Sequence, residues 1–131
     1  MEKVESRDDM YNKRVIGNDK EQLVAAYLKE RGYEILCSNY FCRTGELDLI
    51  AKDGNYLVFI EVKFRSNIKN GYPEEAITRR KMHSMIKTAN QYLLRHGLSF
   101  DTPCRFDVVV VLGDTIKVYQ NAFSIEEGYL F

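Results

Sequence analysis

The chain has little cysteine, no net charge and no long apolar run, and each shortage removes a class of protein. Its three cysteines, Cys37, Cys42 and Cys104, are odd in number and lack metal-ligand spacing. That spacing argues against a disulfide framework or a thiolate metal site, and reduced thiols suit a cytoplasm. The 19 basic and 19 acidic residues cancel, which argues against a protein that coats polyanions in bulk. No apolar run approaches the roughly 18–20 residues needed to cross a bilayer. No apolar stretch follows the first charges, so neither a membrane anchor nor a secretory signal is expected. The two histidines, His83 and His96, stand without a Cys or His partner at metal spacing. The glycines are scattered singly at turns, with no phosphate-cradling loop and no Ser-centred elbow.

What is present is a 131-residue chain, 45% hydrophobic and 29% charged, of a size for one domain with a real core. The zero net charge conceals blocks. Residues 62–97 carry a net +6, whereas residues 1–61 and 98–131 each carry −3. A basic stretch beside an acidic cluster suits a metal site that meets a phosphate backbone. For the helix alone, an ordinary charged surface is the first reading.

Residues 1–16 are polar and aperiodic and read as a flexible lead-in, which leaves 17–131 as the single domain. From about Asn18 to Arg31, Leu23, Val24, Tyr27 and Leu28 recur at helical spacing, with Gly32 as the stop. A strand is expected over about 33–41. Two more, over 46–51 and 56–64, are joined at Asp53-Gly54-Asn55, a hairpin signal. Pro73 fits the first position of a helix over about 74–96, with Ile77, Met82, Met85, Ile86, Ala89, Tyr92 and Leu93 as its apolar side. Residues 105–112 are nearly all apolar, as in a strand covered on both faces. Gly113-Asp114 then turns into a last strand over about 115–119, followed by an aromatic-rich tail. The order αβββαββ predicts an α/β fold, a mixed five-stranded sheet flanked by helices.

Two segments place charge where burial is expected: Gly45-Glu46-Leu47-Asp48-Leu49-Ile50 and Phe59-Ile60-Glu61-Val62-Lys63. Buried charges need partners. Strand alternation puts Phe59, Glu61, Lys63 and Arg65 on one face and Val58, Ile60 and Val62 on the other, into the core. It likewise groups Glu46, Asp48 and Ile50 against Leu47, Leu49 and Ala51. Glu61 and Lys63 then stand about 6.6 Å apart along their strand. The hairpin can bring Asp48 near either of them. Two carboxylates and a backbone carbonyl suit Mg²⁺, which prefers hard oxygen ligands. A cation offsets phosphodiester charge and acidifies its bound water, and a lysine beside it stabilises the developing charge. The same spacing also suits a structural ion-pair ladder.

Glu21 is a further acid near the expected helix start, where the helix dipole would also favour it. Asp107 precedes four apolar residues and reads as a structural acid satisfied by Arg105. Glu46 could join the site, but it reads first as a surface acid near a turn. Tyr27, Tyr33, Tyr40, Phe41 and Tyr56 read as core aromatics rather than base-stacking platforms.

Glu21, the 45–50 segment and Phe59-Ile60-Glu61-Val62-Lys63-Phe64-Arg65 together resemble the PD-(D/E)xK nuclease superfamily. With Asn39, Arg43, Gly71, Pro73, Lys81 and the 105–109 segment, the chain more closely resembles the YraN-like family of small bacterial proteins, over about residues 17–123. Relatives include archaeal Holliday junction resolvases and restriction-type endonucleases. The resemblance implies a restriction-endonuclease-like three-layer fold. It implies Asp48 and Glu61 as metal ligands for Mg²⁺ or Mn²⁺, Lys63 as the catalytic lysine and Glu21 as a helix-borne acid acting directly or through water. Arg65 matches a phosphate-contacting position. Arg43, Lys69, Arg79, Arg80 and Lys81 complete the expected nucleic-acid contacts. Two positions depart from the pattern: Lys20 stands where a glycine is expected, and Phe41 where relatives carry a basic residue.

The leading expectation is a metal-dependent endonuclease acting on DNA, branched or damaged DNA included. The alternative is a non-catalytic nucleic-acid-binding or partner-dependent module that keeps the fold. A two-fold homodimer would suit symmetric cutting of two strands.

Overall fold

The computed structural model describes residues 9–65 and 77–125, with side chains from Lys20 onward. The chain runs α1 (Asp9–Glu30), β1 (Glu34–Cys42), β2 (Gly45–Asp53), β3 (Tyr56–Arg65), α2 (Arg79–Arg95), β4 (Cys104–Leu112) and β5 (Thr115–Phe123). The strands form one sheet in sequence order. Every neighbouring pair is antiparallel except β3 and β4, which are parallel. A parallel pair needs a crossover connection, and α2 lies in it. The architecture is therefore the expected αβββαββ mixed sheet with a helix on each side.

Each face of the sheet has its own core. On one, Val24 and Leu28 of α1 meet Leu49, Ala51, Val58, Ile60, Val62 and Val109. On the other, Met85, Ile86, Ala89, Tyr92 and Leu93 of α2 meet Leu47, Ile50, Phe59, Phe106, Val108 and Val110. Complete burial of Val24 or Leu28 stabilises the fold by roughly 1.5–3 kcal/mol each. Both faces of β3 are thus core faces. The face shared by Phe59 and Glu61, expected to be the polar one, is covered by α2.

Several boundaries differ from the expectation. Helix α1 begins at Asp9, inside the expected lead-in. Leu23 lies on its outward side, 64% exposed, because the sheet needs only the narrow Val24–Leu28 stripe. Helix α2 begins at Arg79 rather than 74. Thr78 takes an extended conformation as its N-cap and accepts from the Lys81 N–H at 3.1 Å, so Ile77 packs from outside the helix. Residues 74–76, Lys69, Gly71 and Pro73 lie outside the described residues. Strand β5 runs on to Phe123, whose buried ring stacks on Phe106 at 4.8 Å between centroids. Tyr33 and Tyr40 are core, as expected, whereas Phe41 and Tyr56 are exposed.

Among the described residues no helix is long and apolar enough to cross a membrane.

Candidate functional site

The site forms where β2 parts from β3. The ladder between them runs from Asp53↔Tyr56 to Leu49↔Ile60 and stops. Asp48 follows in β2, and its Oδ2 accepts the Val62 N–H at 2.7 Å. A carboxylate thus takes the donor that a strand carbonyl would take in a continuing ladder. Strict alternation fails there as well. Leu47 packs toward α2 and Leu49 toward α1, although the sequence pattern grouped them on one face. Pairing across the hairpin therefore does bring Asp48 to the level of Glu61, but through its side chain rather than through ladder register.

Glu61 is 6% exposed and carries two ion pairs. Lys63 Nζ lies 3.2 Å from its Oε2, and Lys81 Nζ lies 3.3 Å from its Oε1. The first pair follows from strand alternation. The second reaches across from α2, so Lys81 belongs to the centre itself and not only to the basic surface where the sequence placed it.

Burial pushes the Asp48 carboxyl up to about 7. The Val62 N–H opposes that rise, while the neighbouring carboxylates of Glu61, Glu21 and Glu46 reinforce it. Glu21 is also raised, first by burial and then by Glu46, against a hydrogen bond from Asn39. Four acids therefore share one electrostatic environment, and of the two roles open to Glu46 it takes the one within the site. Glu21 lies well inside α1, not at its start, so the helix dipole does not account for it.

Asn39 carries no assigned role in the sequence pattern. It stands in β1 between the pairs Ser38↔Leu49 and Tyr40↔Leu47, at the level of Asp48 in β2, at φ 53. Asparagine is among the few non-glycine residues that adopt this conformation readily. Its signal in the sequence is faint: an asparagine inside a strand-like run.

Gly45 sets the position of β2 against α2. Its φ is +148, and an added Cβ would collide with Ser84 Oγ and come within 3.2 Å of Thr88 Oγ1. The Thr44 hydroxyl meets Thr88 Oγ1 at 3.0 Å, and Ser84 Oγ donates to the Thr44 carbonyl at 2.9 Å. This close approach keeps the β1–β2 turn on the helix that supplies Lys81.

The remaining expected contacts are spread out. Arg80 lines a cavity of about 390 Å³ with Lys63, Thr78, Lys81 and Ser84, beside the Glu61 ion pairs. Arg65 is half-buried at the end of β3. Arg43 and Arg79 are exposed, at the β1–β2 turn and the first position of α2. Lys69 lies outside the described residues. Lys20 packs over the Phe64 ring, 5.5 Å from its centroid. Asp107 is structural, as expected. It is fully buried and accepts from Tyr33 Oη (2.8 Å), Arg105 Nε (3.0 Å) and the Asn121 N–H (2.9 Å).

As a cation site, the donor set fits a hydrated hard ion better than an all-protein cage. Among the described residues no three Asp, Glu, His or Cys side chains stand at metal-holding spacing. Two carboxylates with waters are what Mg²⁺ commonly uses. Both Glu61 oxygens now face lysines, so ligation would mean exchanging one of them.

Comparison with known proteins shows the family and a shared length. The chain is 53% identical over 113 residues to a protein of Lachnoclostridium phytofermentans, covering 86% of this chain and 96% of that one. It is 42% identical over 121 residues to one of Clostridium botulinum, covering 88% and 98%. It is 42% identical over 110 residues to one of Legionella pneumophila, covering 82% and 93%. Each of the three is called a UPF0102 protein. The sequence pattern of the family described as uncharacterised protein family UPF0102 matches residues 20–111, which include Glu21, Asp48, Glu61, Lys63 and Lys81, and the chain belongs to that family.

Proposed function

We propose that the chain is a metal-dependent endonuclease that hydrolyses phosphodiester bonds in DNA, branched or damaged DNA included, in the cytoplasm. The observation that carries this reading is the crowding of Asp48 by Glu61, Glu21 and Glu46, with two lysines at the same point. Like charges crowded in a half-buried site raise each other's cost of ionisation, and a cation relieves that cost. Mg²⁺ or Mn²⁺ held by Asp48 and Glu61, with Glu21 acting directly or through water, would offset phosphodiester charge and supply a water of lowered pKa. Lys63 and Lys81 would meet phosphate oxygens. Either one released from Glu61 would offer its ammonium to the developing negative charge. Asn39 orients Glu21, and the Val62 N–H fixes the Asp48 carboxylate.

Incubation of the purified chain with branched, single-stranded and duplex DNA, with each metal in turn, tests this. Metal-dependent cleavage is expected, falling about 10²–10³-fold in Lys63→Ala and lost in Asp48→Asn. Cleavage that survives Asp48→Asn, or its absence on every substrate, would overturn the proposal.

One observation favours a second reading. Glu61 already has both oxygens engaged by lysines, as a structural ion-pair centre would. A non-catalytic nucleic-acid-binding module on this fold predicts unchanged DNA affinity and cellular function in Glu61→Gln, with loss on charge reversal at Arg80 and Lys81.

A further inference from the structure

A second cavity, of about 410 Å³, adjoins the one beside Lys63 and Lys81. It is lined by Thr44, Arg80, His83, Ser84 and Lys87. Arg80 and Ser84 line both, so the two form one groove along α2. Residues 80, 83, 84 and 87 recur at the spacing of one helix face. They span about 10 Å of the axis at ~1.5 Å per residue. Among the described residues, no carboxylate lines this second cavity, and neither Arg80 nor Lys87 has an acidic partner.

The floor of the cavity is fixed. Thr88 is fully buried and bound to Thr44, Ser84 holds the Thr44 carbonyl, and Gly45 admits the close approach. Cations on a fixed frame hold an anion with little ordering cost on binding. Arginine's planar fork suits two phosphate oxygens at once, while lysine adds a point charge.

We infer that this second cavity seats a backbone phosphate of a nucleic-acid strand, close along the chain from the phosphate that meets Lys63 and Lys81. A groove of about 10 Å (seven residues at ~1.5 Å each) is long enough for two neighbouring phosphates of one strand. The inference rests on the nucleic-acid reading above and extends it. The strand runs along α2, and Lys87 holds it at a point away from the reacting centre. A polynucleotide, rather than an isolated phosphate or a mononucleotide, is the ligand that fills both cavities together.

The test is a binding titration of the full-length chain with a labelled single-stranded oligonucleotide in EDTA across a range of NaCl. Variants are Lys87→Gln and Arg80→Gln/Lys87→Gln, with Lys52→Gln as a control. Lys52 is exposed and pairs with Leu57 in β3, roughly 20 Å along that strand from Lys63. Lys87→Gln changes an exposed helix position for a residue of similar helix propensity, so the fold is retained. Lys87→Gln is expected to weaken binding several-fold and to lower the slope of log affinity against log salt by ~0.7. The double variant should lower it further, and Lys52→Gln should leave it unchanged.

Native affinity and slope in both groove variants would overturn the inference. So would a Lys87 effect seen with inorganic phosphate or a mononucleotide as ligand but not with the oligonucleotide. Because binding is read without metal, a lowered slope upholds the cavity even where no DNA is cut. Metal-dependent cleavage by Lys87→Gln with native KM and salt dependence would sink the cavity and leave the nuclease reading standing.

Discussion

Asp48 and Gly45 show how much one residue controls here. Asp48, ordinarily a carboxyl of pKa 3.8, is pushed up to about 7 chiefly by burial. The folded chain therefore binds this proton more tightly than the unfolded chain does. Stability should be highest below about pH 4 as far as this group is concerned, and should decline as pH rises from about 4 through 7. Asp48→Asn keeps an acceptor for the Val62 N–H and removes the ionisation. It should stabilise the protein at pH 8 by on the order of 1–2 kcal/mol and flatten that decline, as read by urea denaturation at pH 5 and pH 8. Millimolar Mg²⁺ should raise the stability of the native chain at pH 8 and leave the Asn variant where it was. At Gly45 the cause is steric. Gly45→Ala should cost about 2 kcal/mol or more, from the collision with Ser84 and the positive φ. Adding Ser84→Ala should restore part of the loss, and chemical denaturation of the single and double variants measures both.

At the scale of elements, α2 is the piece that completes the site. Its Thr78 cap fixes where the first turn begins, and that turn delivers Lys81 to a carboxylate on β3. Thr78→Ala should cost about 1 kcal/mol, with a matching downward shift in the denaturation midpoint. Lys81→Met leaves the buried Glu61 with Lys63 alone. It should destabilise the fold by roughly 1–3 kcal/mol. Combined with Glu61→Gln it should cost less than the two separate losses added together, because the lysine then has no buried charge to answer. The strands show a complementary case. β2 and β3 are legible as a hairpin from Asp53-Gly54-Asn55, yet the end of their ladder at Leu49↔Ile60 is not. Propensity gives no sign that a side chain will replace a ladder carbonyl.

For the whole molecule, a sheet covered on both faces explains which charges are costly and which are not. On β4, where it pairs with Ile60 of β3, Asp107 ties Tyr33, Arg105 and Asn121 together, and Arg105 reaches Asp53 at 2.8 Å. Asp107→Ala should therefore cost about 3–5 kcal/mol, seen as a lower denaturation midpoint. This acid and Asp48 are both poorly exposed, but only Asp107 has its charge answered by an arginine. Several features were determined by the sequence alone. Hydrophobic spacing set the element order, the Asp-Gly turn set the hairpin, and two-residue alternation set Glu61 beside Lys63, because these depend on neighbours close in the chain. The run of α1 back to Asp9 and the outward turn of Leu23 were not legible, since helix ends and buried stripes depend on what the sheet leaves to cover. Only the tertiary structure decided that Lys81 joins Glu61, that Glu21 and Asn39 meet the carboxylates of β2, and that Thr44 closes against Ser84 and Thr88 of α2. Those contacts arise from packing α1 and α2 on opposite faces of the sheet, and no local pattern encodes a distance between segments so far apart in the chain.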